Sequence, residues 1–298
     1  MEYSVGDYYM EENDNIYEII LKRNYDLFSN ELNETNAREI KKHIKILRES
    51  YKSNVPITNY DEKNICKAYM LCYYPNYVEP IYILMKNYIC KTISKLNITK
   101  FQVTFLGAGP GPEVYGCIKA IKENTTIKKI QCNLHDYEQN WQLQRDVTRE
   151  LIMKLEGIYP NIKNIFGCNF QESCERTCDK WINCKEKEFK GDVIVMQNCI
   201  NHMKDIDYFK KILIEKIEVM KKGAYFIIID LQYDNVRNVL QYLKESTGGY
   251  MNVIASGSDV STSKYIMPKG LKTYIFDGTE NFIAKKNTRY NYIILQRK

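Results

Sequence analysis

Residues 103–113 read VTFLGAGPGPE, an apolar run that stops at three glycines in alternate positions, Gly107, Gly109 and Gly111. A turn so bare of side chains lets a flat or charged group lie against the main chain. Other polar residues close later β-rich runs: Asp136 ends KKIQCNLHD, Asn169 and Phe170 end KNIFGCNF, and Gln197 and Asn198 end DVIVMQN. Singly, each has a plain structural use, Asp136 as a cap for the helix opening YEQNW and the asparagines as turn residues. His202, one of three histidines with His43 and His135, has a side chain whose ordinary pKa suits a general base. Cys168, Cys174, Cys178 and Cys184 fall within seventeen residues but include no C-x-x-C pair, so reduced thiols and no metal are expected.

The elements that must carry these residues change character near residue 100. Before it, EENDNIYEIILKRNYDLFSNEL, NAREIKKHIKILRESYKSN, DEKNICKAYMLCYY and EPIYILMKNYICKTISKL repeat apolar residues at three and four, as helices do. Asn33 or Asn36 is placed to cap the second helix, and Pro56 and Pro75 punctuate the connections. Beyond it, short β-rich runs alternate with helical ones, which argues for a parallel sheet covered on both faces. The last two runs, LKTYIFDG and YNYIILQRK, are expected to pair as an antiparallel hairpin closing that sheet. The division is 1–98, all helical, and 99–298, α/β.

Hydrophobic residues make up 44% of the 298 and charged residues 27%, ordinary values for a chain with a sizeable core. No apolar run is long enough for a bilayer and no export signal is evident in MEYSVGDYYMEEN, so a cytoplasmic protein without membrane association is expected. The net charge of +6 can be assigned to 261–298, where eight Lys or Arg face only Asp277 and Glu280. Lys264, Lys269, Lys272, Lys285, Lys286 and Arg289 there could meet a nucleic-acid backbone; a solvated face is the plainer reading.

In an open parallel α/β sheet, ligands sit at the carboxyl ends of strands, where GAGPGPE falls. The dinucleotide fingerprint G-x-G-x-x-G fails at Pro112, and no G-K-[ST] follows to make a P-loop. VTFLGAGPGPE resembles instead the first motif of class I S-adenosylmethionine-dependent methyltransferases, and DVIVMQNCINHM resembles their fourth. The resemblance implies a Rossmann-like, seven-stranded, mostly parallel sheet with an antiparallel C-terminal hairpin over 99–298. It further implies that the helical region covers the pocket and helps choose substrate.

The same resemblance assigns S-adenosylmethionine to Gly107, Ala108, Gly109, Gly111, Glu113, Asp136, Tyr137, Asn169, Phe170, Gln197 and Asn198. Asp136 would take the ribose hydroxyls, since two carboxylate oxygens suit a vicinal diol. Asn169 and Phe170 would meet the adenine, and Gln197 and Asn198 the reacting centre, with His202 as candidate base. Phe105 stands where many members carry an acid. AYMLCYYPNYVEPIYILM is similar to the segment before the core in the Rsm-twenty-two-like ribosomal methyltransferases, a pointer to RNA that leaves the methyl acceptor unidentified. Two alternatives stay open: a cofactor-fold scaffold without catalysis that docks RNA or a partner, and an NAD-dependent oxidoreductase in which Pro112 replaces a glycine.

Overall fold

The computed structural model describes residues 15–52, 58, 60, 62–96, 98, 100–166, 191–203 and 205–298. Among the described residues four helices come first: α1 (Ile16–Tyr25), α2 (Glu34–Ser50), α3 (Lys63–Cys72) and α4 (Tyr74–Leu84). Asn33 caps α2, its side chain accepting from Thr35 N and Asn36 N, while Asn36 Oδ1 takes Asn33 N–H in return. That reciprocal arrangement satisfies amides that the first helical turn leaves without partners. Pro75 sits in the first turn of α4, where its missing N–H costs nothing, and the helix runs on through a π-helical stretch, Met85–Cys90, to Ile93.

Seven strands follow: β1 (Lys100–Leu106), β2 (Lys129–Asp136), β3 (Asn161–Phe166), β4 (Val193–Gln197), β5 (Tyr225–Leu231), β6 (Met251–Thr262) and β7 (Asn287–Arg297). Their order across the sheet is β3-β2-β1-β4-β5-β7-β6, parallel from β3 to β5, with β7 antiparallel to both β5 and β6. Helices α5 (Pro112–Asn124), α6 (Gln142–Glu156), α7 (Ile206–Glu218) and α8 (Asp234–Ser246) cover it. This is a Rossmann-like mixed sheet, as expected from the alternating pattern.

One expectation is corrected. The strand paired with β7 is Met251–Thr262, not the run LKTYIFDG. Leu271 and Ile275 lie four residues apart and are both buried, a helical spacing, and Leu271–Ile275 forms a π-helical turn. β6 is exposed along most of both faces, so it shows little of the apolar alternation by which a strand is recognised.

Alternate strand residues feed two cores. Val103, Phe105, Val195, Ile227, Ile229 and Ile294 pack with α1 to α6 on one face. Leu106, Ile194, Met196, Phe226, Ile228 and Ile293 pack with α7 and α8 on the other. The N-terminal helices therefore share a core with the sheet. Where α4 crosses α5, Gly116 faces the Val78 carbonyl with no room for a Cβ, so the helices touch backbone to backbone.

Candidate functional site

The chain runs β1 to β2 to β3 on one side and then returns to β4 beside β1, so the topological switch lies between β1 and β4. Crevices outside the carboxyl ends of such strands are where ligands bind. The glycine turn, the end of β2 and the end of β4 all meet there.

Gly107 (φ 62°), Gly109 (φ 47°) and Gly111 (φ 89°) all occupy left-handed backbone, which side-chain-bearing residues resist. At Gly107 a Cβ would lie 2.5 Å from Cys199 Sγ, so the turn after β1 nests directly on the turn after β4. Gly111 stands at the cap before α5, Ala108 N donates to the His135 carbonyl at 3.0 Å, and Gly111 N donates to the Ala108 carbonyl at 2.8 Å.

Asp136 reaches back from the end of β2 into this turn. Its Oδ2 accepts Gly109 N–H at 2.6 Å and its Oδ1 accepts Glu138 N–H at 2.9 Å. The two oxygens can accept about four hydrogen bonds between them, so beside the backbone N–H groups of Gly109, Glu138 and Tyr137 the carboxylate retains capacity for a further donor. Burial pushes the Asp136 carboxyl upward, opposed by Arg145 and by the backbone N–H bonds it receives. Tyr137, next along, is exposed at the rim.

Arg145 and Thr148, which the sequence reading passed over, hold the turn from beneath. Arg145 Nε donates to the Gly109 carbonyl at 2.8 Å and Thr148 Oγ1 to the Pro110 carbonyl at 2.6 Å, both side chains being fully buried on α6. Arg145 Nη1 also reaches the Leu134 carbonyl and Asn164 Oδ1, and Nη2 lies 3.9 Å from Asp136 Oδ2. Trp141 follows the same stripe, its ring about 3.8 Å from where a Gly109 Cβ would be. The spacing Trp141, Arg145, Thr148 is i, i+4, i+7, one helix face, and that was the available signal.

Glu113, in the first turn of α5, is only 4% exposed, and burial pushes its carboxyl up to about 8 despite nearby Arg145. Phe105 is fully buried within β1, so no carboxylate is offered from that position. Pro112 opens α5, and the glycine that permits close packing is Gly116, which meets α4 instead of the sheet.

At the end of β4, Gln197 is 5% exposed; its Nε2 donates to the Tyr77 carbonyl at 2.7 Å while its Oε1 has no partner among the described residues. Asn198 turns the chain in left-handed backbone (φ 55°), its N–H on the Ile229 carbonyl. The short helical turn Ile200–His202 that follows is pinned by Asp230 of β5, whose Oδ2 accepts Ile200 N–H at 2.7 Å. Burial raises that carboxyl to about 7. His202 lies edge-on to Tyr51 at 6.0 Å, and burial pushes its imidazole down to about 4, leaving it neutral and weakly basic at physiological pH. A base works best with a pKa near the working pH, so His202 is poorly matched to that task.

Aromatic rings roof the crevice. Tyr73 and Tyr77 stack at 5.8 Å with an interplanar angle of 11°, and Tyr69 lies 5.4 Å from Tyr73 and 5.5 Å from Trp141. Tyr60 is 4.8 Å from Trp141, and the Tyr51 and Tyr60 hydroxyls share a hydrogen bond. Tyr73 belongs to this roof, whereas its neighbour Tyr74 is entirely in the core. Lys285, grouped by sequence with the basic tail, turns inward: its Nζ is 4.5 Å from the Tyr77 ring centre and 3.3 Å from the Tyr77 hydroxyl. Lys264 pairs with Glu79, whereas Lys269, Lys272, Lys286 and Arg289 are exposed.

Asn169, Phe170 and the cysteines 168, 174, 178 and 184 lie outside the described residues. The six described cysteines are buried free thiols. Among the described residues no helix is long and apolar enough to cross a membrane.

No protein-family model matches the chain, and no curated protein matches it in sequence. Among solved structures it is similar to an O-methyltransferase family protein from Burkholderia thailandensis, at 12% identity over 88% of this chain and 72% of that one, with a TM-score of 0.44. It is also similar to precorrin-6y C5,15-methyltransferase from Geobacter metallireducens, at 11% identity, 68% and 84% coverage and a TM-score of 0.35. A SAM dependent methyltransferase from Aquifex aeolicus stands at 15% identity, 74% and 97% coverage and a TM-score of 0.34. Identities this low carry no information about an acceptor.

Proposed function

We propose that the chain is a class I S-adenosylmethionine-dependent methyltransferase that uses the crevice over β1, β2 and β4. The observation that carries this reading is the joining of the glycine turn to Asp136: a main chain without Cβ atoms at Gly107, Gly109 and Gly111 beside a carboxylate that keeps acceptor capacity. Such a pair fits a ligand with a flat or charged part against the turn and a vicinal diol at the carboxylate. Gly107, Gly109 and Gly111 would lie along the cofactor, Asp136 would hold its ribose, and Gln197 and Asn198 would border the reacting centre.

When bound, the cofactor supplies a methyl group already activated on a sulfonium. The protein's task is then chiefly to bring the acceptor into line, which alone can account for a large part of a rate enhancement. Arg145 and Thr148 fix the turn by its carbonyls, and Asp136 fixes it by an amide.

Isothermal calorimetry with S-adenosylmethionine, S-adenosylhomocysteine and NADH tests this reading. Micromolar binding of the first two, weak binding of NADH, and loss of the first two in Asp136→Ala are expected. Because Asp136 also braces Gly109, the variant's thermal melt must show a folded protein. A folded wild-type protein that binds neither sulfur compound overturns the reading.

A further inference from the structure

The roof over the crevice has the composition of a binding chamber. Tyr69 and Tyr60 reach Trp141, which lies against the glycine turn; Tyr77 is tied through its carbonyl to Gln197 at the end of β4. The chamber therefore touches both strand ends between which a methyl acceptor must be placed. Its rings meet mostly edge-on or tilted, and the cation over its one stacked pair among the described residues, Tyr73 and Tyr77, is Lys285.

Resting on the methyltransferase reading, we propose that this chamber is the acceptor site and that it takes a phenol, its ring among the tyrosines and its hydroxyl at Lys285 Nζ. Two observations select that chemistry. First, Lys285 already donates to a phenolic oxygen there, that of Tyr77, at 3.3 Å, so a ligand phenol exchanges one such contact for another. Second, the ammonium form of Lys285 disfavours a cationic ligand, which the aromatic faces would otherwise welcome.

Burial, with Arg48 of α2 nearby, pushes Lys285 down to about 8, so a neutral amine is accessible near physiological pH. The other ionisable groups gathered at Tyr77 are Tyr51, Tyr60, Tyr69, Tyr73, Tyr233 and Asp230. In its neutral form Lys285 takes the phenol's proton: the O–H bond breaks, an N–H bond forms, and a phenolate remains paired with the new ammonium. Lys285 is thus proposed as the residue that binds and deprotonates the acceptor.

The test uses the full chain and 4-nitrophenol, whose anion absorbs visible light, titrated with and without S-adenosylhomocysteine. Bound nitrophenol is expected to be more ionised than free nitrophenol at the same pH. Lys285→Met should weaken it by between about tenfold and a hundredfold, as expected for loss of a hydrogen bond to a charged group. Lys285→Arg should keep the phenolate bound, and S-adenosylhomocysteine should bind all three proteins alike, showing them folded.

Equal nitrophenol binding by wild type and Lys285→Met overturns the proposal. So does failure of nitrophenol to bind a protein that does bind S-adenosylhomocysteine, and so does tighter binding of phenyltrimethylammonium. Lys285-dependent nitrophenol binding without any S-adenosylhomocysteine binding would leave the phenol chamber standing and remove the methyltransferase reading. Binding of neither compound by folded protein removes both.

Discussion

Single residues at this site carry energies large enough to measure. Glu113 is a carboxyl whose folded pKa, about 8, lies far above its ordinary value because it is buried. A group raised in this way binds its proton more tightly when folded, so its contribution is most favourable below the unfolded pKa and is lost as pH rises toward the folded one. Across that window stability should fall by about 1.4 kcal/mol per pH unit for one such proton. Asp230, raised to about 7, adds the same sign over a shorter span. Urea unfolding of Glu113→Gln is therefore expected to show a flatter pH profile than wild type and greater stability at pH 8.5. A profile unchanged by the substitution would mean that the carboxyl is not buried in the folded protein. Gly107→Ala goes the other way: left-handed backbone and a Cβ at 2.5 Å from Cys199 Sγ should cost about 1–3 kcal/mol and abolish binding of S-adenosylmethionine. Chemical denaturation and calorimetry on the same preparation separate the two effects.

At the scale of elements, the glycine turn owes its shape to α6, the helix that follows Asp136. Thr148 and Arg145 supply donors to consecutive carbonyls, Pro110 and Gly109, that the bare turn cannot satisfy from within. Thr148→Val keeps the shape but leaves the Pro110 carbonyl unmet, an expected loss of about 1–3 kcal/mol. Arg145→Met also strips a buried cation from beside Asp136 and Glu113, for which about 3–5 kcal/mol is the usual scale. Both should weaken S-adenosylmethionine binding although neither residue faces the crevice, and unaltered affinity in calorimetry would show that the turn holds itself. Much of this site was legible in the sequence because strand ends, turn glycines and a terminal Asp are local features. Arg145 and Thr148 were not, since a helix stripe looks the same whether it meets core side chains or loop carbonyls. Lys285 was misleading for a related reason: charge counts along a chain do not tell which lysine folds inward over a ring. The exposed strand β6 lacked the apolar alternation that makes a strand visible, whereas the four helices before residue 98 and the strands beneath the turn displayed theirs clearly.

For the whole molecule, the open question is whether the helical region is an accessory or part of the fold. Residues of α1 to α4, including Ile20, Leu47, Met70, Val78 and Ile81, belong to the same apolar core as Val103, Phe105, Val195 and Ile227 of the sheet. At Gly116, α4 and α5 approach so closely that any side chain there would strike the Val78 carbonyl. Removing 1–98 would therefore bare the part of that core that α1 to α4 close beside α5 and α6, an apolar patch of the kind that drives aggregation. A fragment beginning at residue 99 should accordingly be insoluble or unfolded. The full chain should lose far-ultraviolet ellipticity and tryptophan fluorescence at the same urea concentration, as expected of one cooperative unit. Two separated transitions, or a soluble 99–298 fragment that still binds S-adenosylhomocysteine, would show that the helices are a detachable cover. The aromatic roof would then be a part added to a complete cofactor site, because Tyr51, Tyr60, Tyr69, Tyr73 and Tyr77 all precede residue 98. If the transitions coincide, the residues that face the acceptor and those that hold the cofactor are locked into a single folding unit, and substrate choice cannot be exchanged by swapping the helices alone.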